Sequence, residues 1–145
     1  MRSLLPLMSV SVTSPLLRSS HLLLVSSCML REHPSIVEER GGGRVGLHVC
    51  LQETHVDNVG FKVATILLKA QPASLTVLTM DGSPHCVQLH FVIEQVKQLV
   101  AYNGPIEHLV VERGAVFRVS PEAVRMARHL SSLEELLKER ALRKA

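Results

Sequence analysis

Short apolar runs and longer segments of helical spacing alternate along the chain from residue 45 onward. Three apolar runs rich in Val and Leu predict strands: residues 45–51, 74–80 and 106–112. The run at 74–80 is apolar almost throughout, which is typical of a strand covered on both faces. A fourth run, at 115–120, follows the turn pair Arg113-Gly114 and predicts an antiparallel neighbour of the third strand.

The segments between and after these strands predict helices. Four apolar residues at helical spacing precede Pro72 and predict a helix that ends before it: Val59, Val63, Ile66 and Leu67. Ser83-Pro84 joins an N-cap residue to a proline at the first helical position, where its missing N–H costs nothing. Ser120-Pro121 repeats this arrangement. We therefore expect two further helices, one beginning at each pair.

The predicted order of elements is β-α-β-α-β-β-α. This alternation indicates an α/β fold with a mostly parallel, short sheet of about four strands and right-handed crossovers. With helices on both faces, it would be a small three-layer sandwich of the kind found in one half of a Rossmann fold. So short a sheet leaves an apolar edge or face uncovered, and we therefore expect a homodimer as one form of partner.

The first 43 residues differ in pattern from the rest. They mix Leu and Val with Ser, Thr and Pro, and no acidic residue precedes Glu32. Three interpretations fit: a targeting segment, although LLLV is short for the apolar core of a signal peptide; a membrane helix, although Pro6 and Pro15 interrupt it; or a disordered or non-native extension, which we favour. Gly41–Gly43 indicates a linker, and we expect a single domain over residues 44–145.

Composition narrows the function classes. Hydrophobic residues make up 46% of the 145 residues and aromatic residues only 3%, so the core must be aliphatic. The net charge of +3 is spread along the chain, and with few aromatic side chains this argues against nucleic acid as a partner. No transmembrane segment is predicted, because no apolar stretch approaches the roughly 18 residues required. Three cysteines without a CxxC motif indicate free thiols in a reducing, cytoplasmic compartment.

Chemistry-bearing residues follow the first two predicted strands. The first strand contains His48 and Cys50 and leads to His55 and Asp57. The second strand ends at Asp81 and leads to His85 and Cys86. Because ligands of such sheets bind at the carboxyl ends of the strands, we expect both sets to share one rim if the two strands are neighbours.

A reactive thiol at Cys86 is the leading hypothesis. With Ser83 as N-cap, Cys86 is the third helical residue, where unpaired backbone N–H groups and the helix dipole favour a thiolate. His85 or His90 would adjust its pKa, Cys50 would be a resolving thiol, and Asp81 would be a general acid or base. This set predicts a small thiol-centred redox or sulfur-transfer protein that works with a redox or sulfur-relay partner.

Two alternatives remain open at this point. A metal protein would draw on Cys86 and His90, one helical turn apart, with the other ligands coming from residues 48–57. The candidate ligands are Cys86, His90, His48, Cys50, His55 and Asp57. A mixed thiolate and imidazole set favours zinc or iron. In the other alternative, the chain is a non-catalytic interaction subunit in which these side chains have no chemical role.

Overall fold

The computed structural model describes residues 3–144, which contain one six-stranded sheet and six helices. The strands are β1 (Ser3–Pro6), β2 (His21–Ser26), β3 (Val45–Val49), β4 (Ser74–Met80), β5 (Ile106–Glu112) and β6 (Ala115–Val119). The helices are α1 (Met29–Glu32), α2 (Pro34–Arg40), α3 (Val56–Ala70), α4 (Pro84–Leu99), α5 (Pro121–Met126) and α6 (Leu130–Lys144). The expected small, mostly parallel α/β fold is confirmed.

The strands lie in the order β1-β3-β2-β4-β5-β6. All neighbouring pairs are parallel except β5 and β6. The β5–β6 turn at Arg113-Gly114 has positive φ at both residues, and a turn of this kind matches the twist of antiparallel strands. The antiparallel neighbour expected from the sequence is therefore present at this edge of the sheet.

Successive side chains of the central strands point to opposite faces of the sheet and enter two separate cores. On one face, Leu22 and Leu24 of β2 pack with α3 and α4. On the other face, Leu23 and Val25 pack with Met29 of α1 and with α2. Both faces of β2 are thus covered, which explains why its sequence is continuously apolar rather than alternating. Each core lies between the sheet and the helices on one of its faces, so the domain has three layers.

The sequence predicted that the domain starts near residue 44. This is wrong, because the described residues before it are part of the same sheet. Residues 21–26 form β2, which pairs with both β3 and β4 at the middle of the sheet. Leu23 is 0% exposed, and β1 extends the sheet beyond β3. The sheet therefore has six strands rather than four. Residues 41–43 are a turn between α2 and β3 and not a linker between domains.

The C-terminal part differs from the single final helix expected from the sequence. Ser120 caps α5 by accepting a hydrogen bond from the backbone N–H of Ala123, at 3.1 Å, and Val124 is buried. A turn at residues 127–129 then separates α5 from α6. No helix among residues 3–144 combines the length and apolarity that crossing a bilayer requires.

Candidate functional site

A cavity of about 250 Å³ opens at the carboxyl ends of β2, β3 and β4. The chain leaves β2 toward α1 on one face of the sheet and leaves β4 toward α4 on the other face. The two neighbouring strands therefore diverge here, at the position where open α/β sheets bind their ligands. Three cysteines line this cavity: Cys28, Cys50 and Cys86.

Each of the three cysteines lies close to the end of a strand or to the start of a helix. Cys28 is the N-cap residue of α1 and lies two residues after the end of β2, and Cys50 directly follows β3. Cys86 is the third residue of α4, as the sequence predicted. Ser83 has the extended backbone of an N-cap, but its side chain makes no capping hydrogen bond.

Two thiols are in contact. The Sγ atoms of Cys28 and Cys86 lie 3.8 Å apart, and the Cys28 thiol also donates to Ser26 Oγ at 3.5 Å. Burial raises the pKa of the Cys28 thiol above its ordinary value, and Cys86 and Cys50 raise it further, while the bond to Ser26 opposes them. A disulfide has an S–S bond of about 2.04 Å, so the two sulfurs must approach each other to form one.

His90 lies away from the thiols, inside a buried network. Its Nε2 is 2.9 Å from Thr79 Oγ1, and its Nδ1 is 2.8 Å from Nδ1 of His108. His108 Nε2 is 2.8 Å from Glu94 Oε2, and Arg125 lies 3.5 Å from the other Glu94 oxygen. Both ring nitrogens of His90 are therefore engaged elsewhere. The predicted role beside Cys86, as pKa modifier or metal ligand, does not fit this geometry.

The hydrogen-bond directions in this network place its protons. Thr79 Oγ1 donates to the Met80 carbonyl at 2.9 Å, so it accepts the bond from His90 Nε2–H. His90 Nδ1 then accepts from His108 Nδ1–H, and the other His108 nitrogen donates to the Glu94 carboxylate. His90 is neutral in this arrangement. Burial, together with the charge of His108, lowers the pKa of His90 to about 3.

Of the remaining predicted residues, His85 lines the cavity and the others lie outside it. His85 is exposed and lines the cavity beside Cys86. Asp81 is exposed and does not line the cavity; its backbone N–H donates to the Val111 carbonyl at 3.0 Å. His48 Nδ1 lies 3.2 Å from Ser27 Oγ. His55 caps α3 and accepts from the Asp57 backbone N–H at 3.1 Å, and both of these side chains are exposed.

The six predicted metal ligands do not converge. Cys50 and Cys86 line the cavity, whereas His90 is buried in its own network and His55 lies at the start of α3. Within residues 3–144, no group of three His, Cys, Asp or Glu side chains is placed to hold a metal ion. Cys50, Cys86 and His85 therefore line one rim although β2 separates β3 from β4, and the other predicted side chains lie outside it.

Sequence reasoning missed Cys28 and most of the buried network. Cys28 lies two residues after the apolar run HLLLVS and Cys50 lies directly after the next strand, and this similarity was the available signal. His90 and Glu94 are separated by four positions and so share one face of α4. An acid on the otherwise apolar face of a helix indicates a buried partner, and His108 is that partner.

The comparison with protein families agrees with the fold. Residues 14–144 match the model of the Rossmann-like domain. The chain belongs to this family. Neither the curated proteins nor the solved structures contain a match. In this Rossmann-like domain the segment from the end of β2 to the start of α1 reads Ser26-Ser27-Cys28 and contains no glycine. Dinucleotide-binding members of the fold class use glycines there to approach a pyrophosphate. Function must therefore be argued from the thiols themselves.

Proposed function

We propose that this Rossmann-like domain is a small thiol–disulfide redox protein whose working pair is Cys28 and Cys86. The observation that carries the proposal is the 3.8 Å separation of the two sulfurs at the cavity. The sequence singled out Cys86 with Cys50 as its resolving partner, and the contact between the sulfurs favours Cys28 for that role. Cys50 lines the same cavity as a third thiol.

The order of attack follows from the surroundings of the two thiols. Burial raises the pKa of Cys28, so a smaller fraction of this thiol is ionised at neutral pH than of an ordinary thiol. Cys86 lies in the first turn of α4, at the positive end of the helix dipole. We therefore assign the first attack to Cys86 and the resolving step to Cys28.

The proposed reaction is thiol–disulfide exchange with a small disulfide, R–S–S–R. The Cys86 thiolate bonds to one substrate sulfur, the substrate S–S bond breaks, and R–S⁻ leaves and takes up a proton from water. Cys28 then loses its proton to solvent and attacks the Cys86 sulfur, which expels the second R–S⁻. Two electrons pass from the protein thiols to the substrate. In a reducing cytoplasm, a dithiol of the cell would return the pair to its reduced form.

The dimensions of the cavity favour a small substrate. Cys86 is 8% exposed, and the cavity beside it holds about 250 Å³, below the roughly 300–1,000 Å³ of sites for drug-sized ligands. The same attack on a persulfide, R–S–SH, would leave Cys86–S–SH and release R–SH. Sulfur transfer is thus the second form of this proposal, and it uses the same nucleophile.

The test is oxidation of the full chain with a small disulfide such as hydroxyethyl disulfide, followed by thiol titration and peptide mapping. We expect the free thiols to fall from three to one, with a Cys28–Cys86 link. Cys28→Ser should stop at a mixed disulfide on Cys86, Cys86→Ser should form neither product, and Cys50→Ser is the matched control that keeps the link. A persulfide donor should add one sulfur atom to Cys86. Three unchanged thiols, or a link through Cys50, would overturn the assignment of the pair.

A further inference from the structure

The spacing of the two sulfurs at the cavity is suited to a shared metal ion. The Sγ atoms of Cys28 and Cys86 lie 3.8 Å apart, so they must approach each other before an S–S bond of about 2.04 Å can form. Two metal–sulfur bonds of about 2.3 Å, the length found in zinc thiolates, would join sulfurs at this distance with an angle of about 110° at the metal. One ion can therefore bond to both sulfurs without a change in their separation.

The other sulfur atoms of the cavity are soft donors as well. The thiol of Cys50 and the thioether of Met80 line the same cavity as the pair. Glu32 and His85 also line it, but across residues 3–144 no three His, Cys, Asp or Glu side chains are placed to share an ion. Thiolate and thioether ligands select soft ions, Cu(I) among them. The cavity thus offers two sulfurs in contact and further sulfur nearby.

The number of ligands separates the ions that prefer sulfur. A structural zinc site is closed by four protein ligands, and the described residues offer only the two sulfurs in contact. Cu(I) is a soft ion with one positive charge that binds stably to two or three thiolates. The pair therefore satisfies what Cu(I) requires and leaves zinc incompletely coordinated.

We propose that Cys28 and Cys86 form a binding site for a soft monovalent metal ion, and that this ion is Cu(I). Cu⁺ bonds to both sulfurs and the two thiol protons pass to solvent, so the bound unit carries one negative charge. The copper is neither oxidised nor reduced. The proposal goes beyond the redox function, because the pair stays reduced and no disulfide takes part.

The test is an anaerobic titration of the full reduced chain with Cu(I) in competition with the chelator bathocuproine disulfonate. We expect one Cu(I) per chain. Cys28→Ser and Cys86→Ser should each weaken binding about a hundredfold or more, because one remaining thiolate cannot chelate. Cys50→Ser is the matched control, which removes a thiol from the same cavity and should keep the site. Circular dichroism and thermal unfolding show that the three variants stay folded.

A second measurement needs no substitution. In the wild-type chain loaded with Cu(I), iodoacetamide should alkylate Cys50 while Cys28 and Cys86 are protected, as peptide mapping would show. X-ray absorption at the copper edge should give sulfur ligands only, and an equal concentration of zinc should not release the copper. Copper that stays on the chelator, Cys28→Ser binding as wild type does, or protection of Cys50 in place of Cys28 would each overturn the proposal.

The copper site and the redox function fail separately. Oxidation by hydroxyethyl disulfide requires the two sulfurs to approach each other, whereas Cu(I) binding requires them to stay apart and reduced. A chain that binds copper but keeps three free thiols with the disulfide would retain the metal site and lose the redox function. A chain that forms the Cys28–Cys86 link but leaves copper on the chelator would retain the redox function and lose the metal site.

Discussion

The imidazole rings of His90 and His108 face each other through their Nδ1 atoms, 2.8 Å apart, and both side chains are buried. One ring comes from α4 and the other from β5, so the bond joins the helix to the sheet behind the thiol cavity. A hydrogen bond between two Nδ1 atoms requires one to carry a proton and the other a lone pair. A proton added to the Nδ1 atom that holds the lone pair would break this bond. The stability of the domain should therefore depend on pH.

His90 should make the domain less stable in mild acid. Its folded pKa is lowered to about 3 from an ordinary value of 6.5, so between these values the unfolded chain binds the proton and the folded chain does not. The free energy of unfolding should then fall as pH drops below 6.5, by roughly 2 kcal/mol at pH 5. Urea unfolding of wild type and His90→Gln at pH 7 and pH 5 measures this.

His90→Gln removes the His90 ring, and the oxygen of the new side chain can still accept the bond from His108 Nδ1–H. His90→Gln should lose less stability between the two pH values than wild type, whatever its cost at pH 7. His129→Gln, at an exposed position, is the control and should keep the wild-type slope. Equal slopes for wild type and His90→Gln would show that the ring is not held neutral.

Removing the negative charge of Glu94 should destabilise the domain. Its side chain is 6% exposed, and one carboxylate oxygen lies 2.8 Å from His108 Nε2. Glu94→Gln leaves the buried His108 ring without its anion, which should cost about 3 kcal/mol. Most of this loss of stability comes from the contact with His108, because Arg125, on the other Glu94 oxygen, is 43% exposed and its charge is screened by water.

A surface pair supplies the comparison for Glu94. Glu107 lies 3.6 Å from Arg118, whose side chain is 77% exposed, so Glu107→Gln should cost less than about 1 kcal/mol. Thermal or urea unfolding of the two variants at pH 7 gives the difference directly. Similar costs for both would mean that the buried network contributes no more than an ordinary surface ion pair.

The sequence was informative where apolar pattern and punctuation coincided. The strand predicted at residues 74–80 is β4, Ser74–Met80, and the one at 106–112 is β5, Ile106–Glu112. Ser83-Pro84 marked the start of α4 correctly. β2 was missed because HLLLVS lies among Ser and Pro residues after a stretch without acids, where it resembles the apolar core of a targeting segment as much as a strand.

The site was predicted in part for the same reason. Cys50 and Cys86 were expected together if their two strands were neighbours. The unrecognised β2 lies between β3 and β4, and the two cysteines still line one cavity because all three strands end at the same rim. Cys28 was not expected there, because its strand had not been recognised. The position of His90 depends on Thr79 and His108, from β4 and β5, and no spacing within α4 indicates which strands the helix covers.

Leu23 tests whether the N-terminal segment belongs to the core. Its side chain is 0% exposed and packs on Val25, Met29 and Leu78 in the second core. Leu23→Ala should lower the free energy of unfolding by about 3 kcal/mol. Leu68→Ala, at a position 58% exposed, should change it by less than about 0.5 kcal/mol. A negligible loss of stability in Leu23→Ala would mean that the N-terminal segment is an extension outside the core.

The pKa of Cys28 should move in opposite directions when its two hydrogen-bonding neighbours are removed. The Ser26 hydroxyl lowers this pKa because it can donate to the Cys28 thiolate, and the thiol of Cys86 raises it. At one pH, Ser26→Ala should therefore slow the alkylation of Cys28 by iodoacetamide, and Cys86→Ala should accelerate it. Each change should stay below tenfold, the effect of a full pKa unit, because burial is the largest cause and remains in both variants.

Peptide mass spectrometry after timed alkylation across a pH series separates Cys28 from the other thiols. Cys50→Ala is the matched control, since Cys50 acts on Cys28 through charge alone and is the last of its causes; it should accelerate alkylation less than Cys86→Ala does. If Ser26→Ala accelerated alkylation instead, the Ser26 hydroxyl would not be stabilising the Cys28 thiolate. If Cys86→Ala had no effect, the two sulfurs would not be in contact in solution, and the proposed redox pair would lose its basis.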